Sequence, residues 1–149
     1  MKVSGFIIFG IVLLTSPQFG FGQVFNNPDQ AFLTASQSKR PLLLIFSGSD
    51  WCLPCERLNK LIFSDSAFKN FANQKLVLIE ADFPQKAKLS KDQISCNEKL
   101  AEEFNPGGIF PYLLLLNADR TIITGLDYIH YNSAHFIEEI KNAIALYGK

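Results

Sequence analysis

The stretch FSGSDWCLPCERLNKLIF, from Phe46 to Phe63, decides the fold. It sets Cys52 and Cys55 two residues apart, behind an apolar run and ahead of a helical pattern in which Leu58, Leu61 and Ile62 share one side. A pair so spaced serves as a disulfide staple, a soft-metal clamp or a working redox centre. Its surroundings discriminate among these.

Upstream, Leu42 to Phe46 is unbroken apolar sequence, the mark of a strand covered on both faces. Before it, Asn27 and Pro28 form a cap and first-turn proline, and Ala31, Phe32 and Ala35 supply the inward face of a helix ended by Ser38 to Pro41. The N-terminus reads as an export signal: Lys2, an apolar Val3 to Leu14, a breaking Pro17, and the small residues Gly20 and Gly22 ahead of a cleavage point after Gly22. The apolar run is short of the roughly 20 residues that a membrane span needs. Residues 1–22 are therefore expected to be a signal peptide and 23–149 one domain, periplasmic or secreted.

Downstream, Ser64 or Asp65 caps a helical piece carrying Phe68, Phe71 and Ala72, and Leu76 to Ile79 is a second buried strand ending in Glu80, Ala81 and Asp82. Lys91 to Phe104 reads as a helix with Ile94, Ala101 and Phe104 inward, stopped by Asn105-Pro106-Gly107-Gly108. Tyr112 to Leu116 and Thr121 to Leu126 are strands joined by a link short enough to force an antiparallel hairpin. A helix from about Ser133 to Tyr147 closes the chain, with Phe136, Ile137, Ile140, Ile144 and Leu146 mostly on one side. Strands alternating with helices imply parallel pairing through right-handed crossovers, and the hairpin adds an antiparallel edge.

The 14 basic and 14 acidic side chains leave no footprint for nucleic acid or an anionic membrane. Three cysteines are too few to build a disulfide scaffold in 149 residues, so the fold rests on its apolar core. There is no phosphate-cradling glycine loop, repeat or low-complexity tract.

SGSDWCLPC, taken with LVLIEADFP and FPYLLLLNADR, resembles the thioredoxin fold and, more narrowly, the exported thioredoxin-like proteins of bacteria, over roughly Asn27 to Leu146. The resemblance implies an α/β domain with a central mixed four-stranded sheet flanked by helices, here with an extra N-terminal helix. It also implies that Cys52 is the exposed nucleophile and Cys55 the resolving thiol, and that Pro111 is a cis-proline facing them behind Phe110. A cysteine at a helix start lies near unpaired N–H groups and the positive end of the helix dipole, which favours the thiolate. Cys55, one turn on, reaches back to release a mixed disulfide. Pro54 costs no helical hydrogen bond in the first turn, and Trp51 shields the pair and offers apolar contact to a protein substrate.

The family's buried aspartate, which takes the resolving thiol's proton, has no counterpart here: the equivalent position is Ile45 or Phe46. Glu80 is either its substitute or a strand-end carboxylate in water. Cys96 is expected to be packed and inert rather than regulatory. His130 and His135 are expected to be surface or capping groups, and Asp50 and Glu56 flank the pair with an effect that solvent screens.

Three classes follow: a thiol-disulfide oxidoreductase acting on protein cysteines, a binding module whose pair is a static disulfide, and a soft-metal carrier. The first is favoured, as a reductant or isomerase rather than an oxidant, because Leu53-Pro54 brings neither charge nor histidine to stabilise the thiolate. It needs no cofactor or metal, is expected to be a monomer, and draws electrons from a membrane-bound donor.

Overall fold

A computed structural model describes residues 24–128 and 132–147. The expected signal segment and His130 lie outside the described residues.

The chain runs β1 (Val24–Phe25), α1 (Pro28–Ser38), β2 (Leu42–Ser47), α2 (Leu53–Leu58) continuing as a π-helical turn (Asn59–Phe63), α3 (Ser66–Lys75), β3 (Val77–Asp82), α4 (Lys91–Phe104), β4 (Tyr112–Leu116), β5 (Ile122–Gly125) and α5 (Ser133–Tyr147). The strands form one sheet in the order β1-β3-β2-β4-β5. β2 pairs parallel with β3 and antiparallel with β4, and β4 pairs antiparallel with β5. This is the thioredoxin fold. The sheet carries one strand more than the four expected, because Val24–Phe25 adds parallel to β3.

Local chemistry accounts for the elements. The Asn27 side chain accepts the Gln30 N–H at 3.1 Å with Pro28 behind it, and Asp65 accepts from Ala67 and Phe68 to start α3. All six residues of β2 are buried, as a central strand requires. Their alternation serves two cores. Leu43 and Ile45 pack with Leu58, Phe68 and Ile140 on one face of the sheet; Leu42, Leu44 and Phe46 pack with Phe32, Leu100 and Phe104 on the other. Cys52 and Cys55 therefore follow a strand wedged between both layers, which gives them a rigid base.

Three inward residues of the sequence reading turn out exposed. Leu61 is 44% and Leu146 72% accessible, and Ile94 is 42%. The π turn shifts the phase after α2, so that Leu58 and Ile62 are buried and Leu61 faces out. In α4 the inward positions are Asn97, Leu100 and Phe104. Asn97 displaces Ile94 because its amide donates to the Asp82 carbonyl at 2.6 Å, where β3 ends and leaves an acceptor unpaired.

Candidate active site

Cys52 caps α2. Its backbone is extended, and its sulfur accepts the Cys55 N–H at 3.2 Å, while Pro54 occupies the first turn, where its missing N–H costs nothing. The two cysteines are joined as a disulfide. Cys52 is 6% and Cys55 7% accessible, so the exposed nucleophile implied by the resemblance is as covered as its partner in this oxidised state. Trp51 and Leu53, on either side of Cys52, are themselves 40% and 75% exposed, and the loop carrying Pro111 lines one cavity with Cys55.

Trp51 is held rather than free. Its indole N–H donates to the Phe83 carbonyl at 2.7 Å, and its ring meets the Phe110 ring edge-on at 5.4 Å. The Phe110 ring in turn meets Phe83 at 5.6 Å, so three aromatics from three segments form one cluster that includes Trp51, the residue before Cys52. Gly48 makes room for the indole, since a Cβ there would lie 2.3 Å from Trp51 Cε2.

The Phe110–Pro111 bond is cis, as the resemblance implies, and Pro111 lines the same cavity as Cys55. What holds the loop was not legible as a motif. Asn105, 3% accessible, donates from Nδ2 to the Ile109 carbonyl and accepts the Ile109 N–H, both at 2.9 Å. The run Asn105-Pro106-Gly107-Gly108 reads as a helix stop; it is also the clamp that delivers Phe110 and Pro111. Gly108 sits at φ +61°, which favours glycine.

Glu80 is not a strand-end carboxylate. It lies within β3, opposite Ile45 of β2, on the sheet face that carries α2. A cavity of about 290 Å³ is lined by Ile45, Ser47, Cys55, Leu58, Glu80 and Pro111, among others. Ser47 Oγ lies 2.6 Å from Glu80 Oε1 and 3.2 Å from Asp82 Oδ1, and Asp82 also accepts the Ser49 N–H and Oγ–H at 2.8 and 2.6 Å. Burial pushes the Glu80 pKa above the ordinary carboxylate value; the Ser47 hydrogen bond opposes the shift, and the charge of Asp82 adds to it. Phe46, the other position weighed for the family aspartate, points into the opposite core. An acidic group thus faces the cavity that Cys55 lines from the neighbouring strand.

Other residues are assigned differently from the sequence reading. Cys96 is free and half-buried on α4 rather than packed in either core. Asp50 does not face the pair as a solvated neighbour; its carboxylate is engaged by the backbone of the segment after β3. Among the described residues no cluster of three or more His, Cys, Asp or Glu could hold a metal ion, and no helix is long and apolar enough to cross a membrane.

A thioredoxin-like family model matches residues 24–118. Disulfide bond reductase DsbH of Chlamydia pneumoniae is 31% identical over 117 residues, which cover 78% of this chain and 70% of that protein. Thioredoxin-related protein DsbJ of the same organism is 28% identical over 93 residues, although the chain spans only 27% of its length. Among solved structures, a DsbH oxidoreductase superposes with a TM-score of 0.77 at 27% identity, covering 92% of this chain and 95% of that one. A thioredoxin from Thermus thermophilus superposes at 0.60 with 15% identity over 85% of this chain and 90% of its own, a likeness of fold alone.

Proposed function

The chain belongs to the thioredoxin-like family and is a thiol-disulfide oxidoreductase; on that premise we propose that it is an extracytoplasmic reductant of protein disulfides. The observation that carries the reading is the Cys52–Cys55 disulfide at the start of α2, facing Pro111 across a cavity that also holds Glu80. The likeness to a disulfide bond reductase supports the reducing direction over isomerisation.

In the reduced protein the Cys52 thiolate attacks one sulfur of a client disulfide. A mixed disulfide forms and the first client thiolate leaves. The Cys55 thiol then gives its proton to the Glu80 carboxylate and attacks Cys52 Sγ, which closes the Cys52–Cys55 bond and expels the second client thiolate. Two electrons have passed from the dithiol to the client. An external dithiol donor, taken to be membrane-bound, restores the reduced pair by the reverse exchange. Trp51 and Phe110 offer apolar surface to the client chain beside Pro111, and Pro54 keeps the first turn of α2 regular beneath the sulfurs. The signal-like N-terminus supports export with cleavage near Gly22, and the working unit is taken as a monomer.

Insulin reduction with dithiothreitol as donor, together with the equilibrium potential against glutathione, tests this. Catalysed reduction and a potential near the reducing end of the range, about −270 mV rather than about −120 mV, are expected. An inert pair would leave only a scaffold with a structural disulfide, and a potential at the oxidising end would reverse the direction.

A further inference from the structure

We propose that Asp50 is a positioning residue for client binding: its carboxylate closes over three consecutive backbone N–H groups and so fixes the segment that supports Trp51 and Phe110 beside the disulfide. The inference rests on the reductase reading and adds a residue that sets affinity for protein clients.

Asp50 stands in the turn in which the Trp51 and Cys52 N–H groups both donate to the Gly48 carbonyl. Its Oδ1 accepts the Gln85 N–H at 2.8 Å, and its Oδ2 accepts those of Lys86 and Ala87 at 2.7 and 2.9 Å. These three amides belong to the stretch between β3 and α4, which has neither helix nor strand to satisfy them. Convergent amides of this kind form an anion-binding nest, and the anion here is supplied by the chain itself. The same amides hold the Asp50 carboxyl below its ordinary pKa, so it stays ionised.

The pinned stretch begins at Phe83. The Phe83 N–H donates to the Ser47 carbonyl at 2.9 Å, its carbonyl receives the Trp51 indole, and its ring meets Phe110. Asp50 and Trp51 are therefore adjacent in sequence and grip the same stretch at two points, one through a side-chain anion and one through the indole N–H. Without the anion, three amides must turn to water and the Phe83 carbonyl loses its fixed place. The aromatic frame would loosen while the disulfide, capped within its own turn, would remain as it is.

The chain has a single tryptophan, so its emission reports on Trp51 alone. Asp50→Asn presents an N–H₂ where an acceptor oxygen is needed, and Asp50→Ala removes the anchor. The full mature chain and both variants would be compared by Trp51 emission, amide hydrogen exchange over Gln85 to Ala87, KM for insulin, and the rate and pH profile of exchange with a small aromatic disulfide. Expected in both variants are faster exchange of the three amides, a red-shifted emission and a several-fold higher KM for insulin, with the small-disulfide rate and its pH profile retained. Retained far-UV dichroism shows that the variants are folded. Unchanged emission and KM overturn the inference, and so does a shifted pH profile at constant KM, which would make Asp50 an electrostatic tuner of Cys52. A wild-type chain that reduces neither disulfide overturns the reductase reading, and the client-affinity role falls with it.

Discussion

The Glu80 carboxylate and the Ser47 hydroxyl meet at 2.6 Å between β3 and β2, on the wall of the cavity that also contains Cys55. The family's acid sits on the strand that leads to the cysteines; here that strand offers Ile45, and the acid comes from the parallel neighbour in register with it. Two consequences can be separated experimentally, one in stability and one in rate.

Glu80 is a carboxyl group whose folded pKa is raised above its usual 4.5. The folded state therefore holds its proton more tightly than the unfolded chain does. Its contribution to stability is fully present below about pH 4.5 and is lost as pH rises through the folded value. Glu80→Gln keeps an acceptor for Ser47 and removes the ionisation, so the oxidised variant should match or exceed wild-type stability at pH 7, with a flatter decline on the alkaline side. Urea melts from pH 4 to 8 check the sign. In stopped-flow exchange, the same variant should slow resolution of the mixed disulfide and lose the pH step assigned to the acid; an unchanged profile would remove Glu80 from the mechanism.

The two cysteines should separate cleanly by substitution. Cys55→Ser leaves a nucleophile with nothing to displace its captured client, so a mixed disulfide through Cys52 should accumulate and survive on a non-reducing gel. Cys52→Ser should trap little and reduce no insulin. Equal trapping by the two variants would mean that either sulfur attacks and that the order of roles is wrong.

Asn105 tests how far the loop carrying Phe110 depends on one buried amide. Asn105→Ala removes two hydrogen bonds to Ile109 from a side chain that is 3% accessible. A loss of about 1–3 kcal/mol is expected, seen as a drop of several degrees in Tm. Because the loop lies beside the cysteines, insulin turnover should fall further than the thermal loss explains. A variant with the wild-type melting curve and turnover would show that the loop holds itself.

The parts legible in the sequence are those written as periodicity or local capping. Leu42 to Phe46 announces a central strand by being apolar without a break, and Asn27-Pro28 announces a helix start; both stand where expected. The rest is written in contacts between distant segments. β1 is two residues long and carries no pattern of its own, yet β3 offers it an edge. Asn97 takes an inward place on α4 because the Asp82 carbonyl needs a donor, which a count of apolar residues credits to Ile94. Asp50 bonds to amides 35 to 37 residues away, so its neighbours in sequence give no sign of its role. The identity of the cysteine pair was plain, whereas its supports come from strand register and loop closure. Glu80 lies between the two cases: an acid next to an apolar strand is visible in the sequence, and only the pairing of β3 with β2 brings it to the cavity.

Gly48 puts the aromatic frame to a direct test. A methyl group there would lie 2.3 to 2.5 Å from three indole atoms, closer than carbon atoms approach, so Gly48→Ala must move something. Trp51 is 40% exposed and its ring has solvent to move into, whereas Gly48 follows directly on β2, whose six residues are all buried. The indole should therefore yield before the strand does, giving up its bond to the Phe83 carbonyl and its contact with Phe110. Expected are a red-shifted emission from the single tryptophan and a raised KM for insulin, with only a small change in Tm. A large loss of stability with unchanged emission would reverse this ranking and make Trp51 part of the rigid base rather than of the client-facing surface.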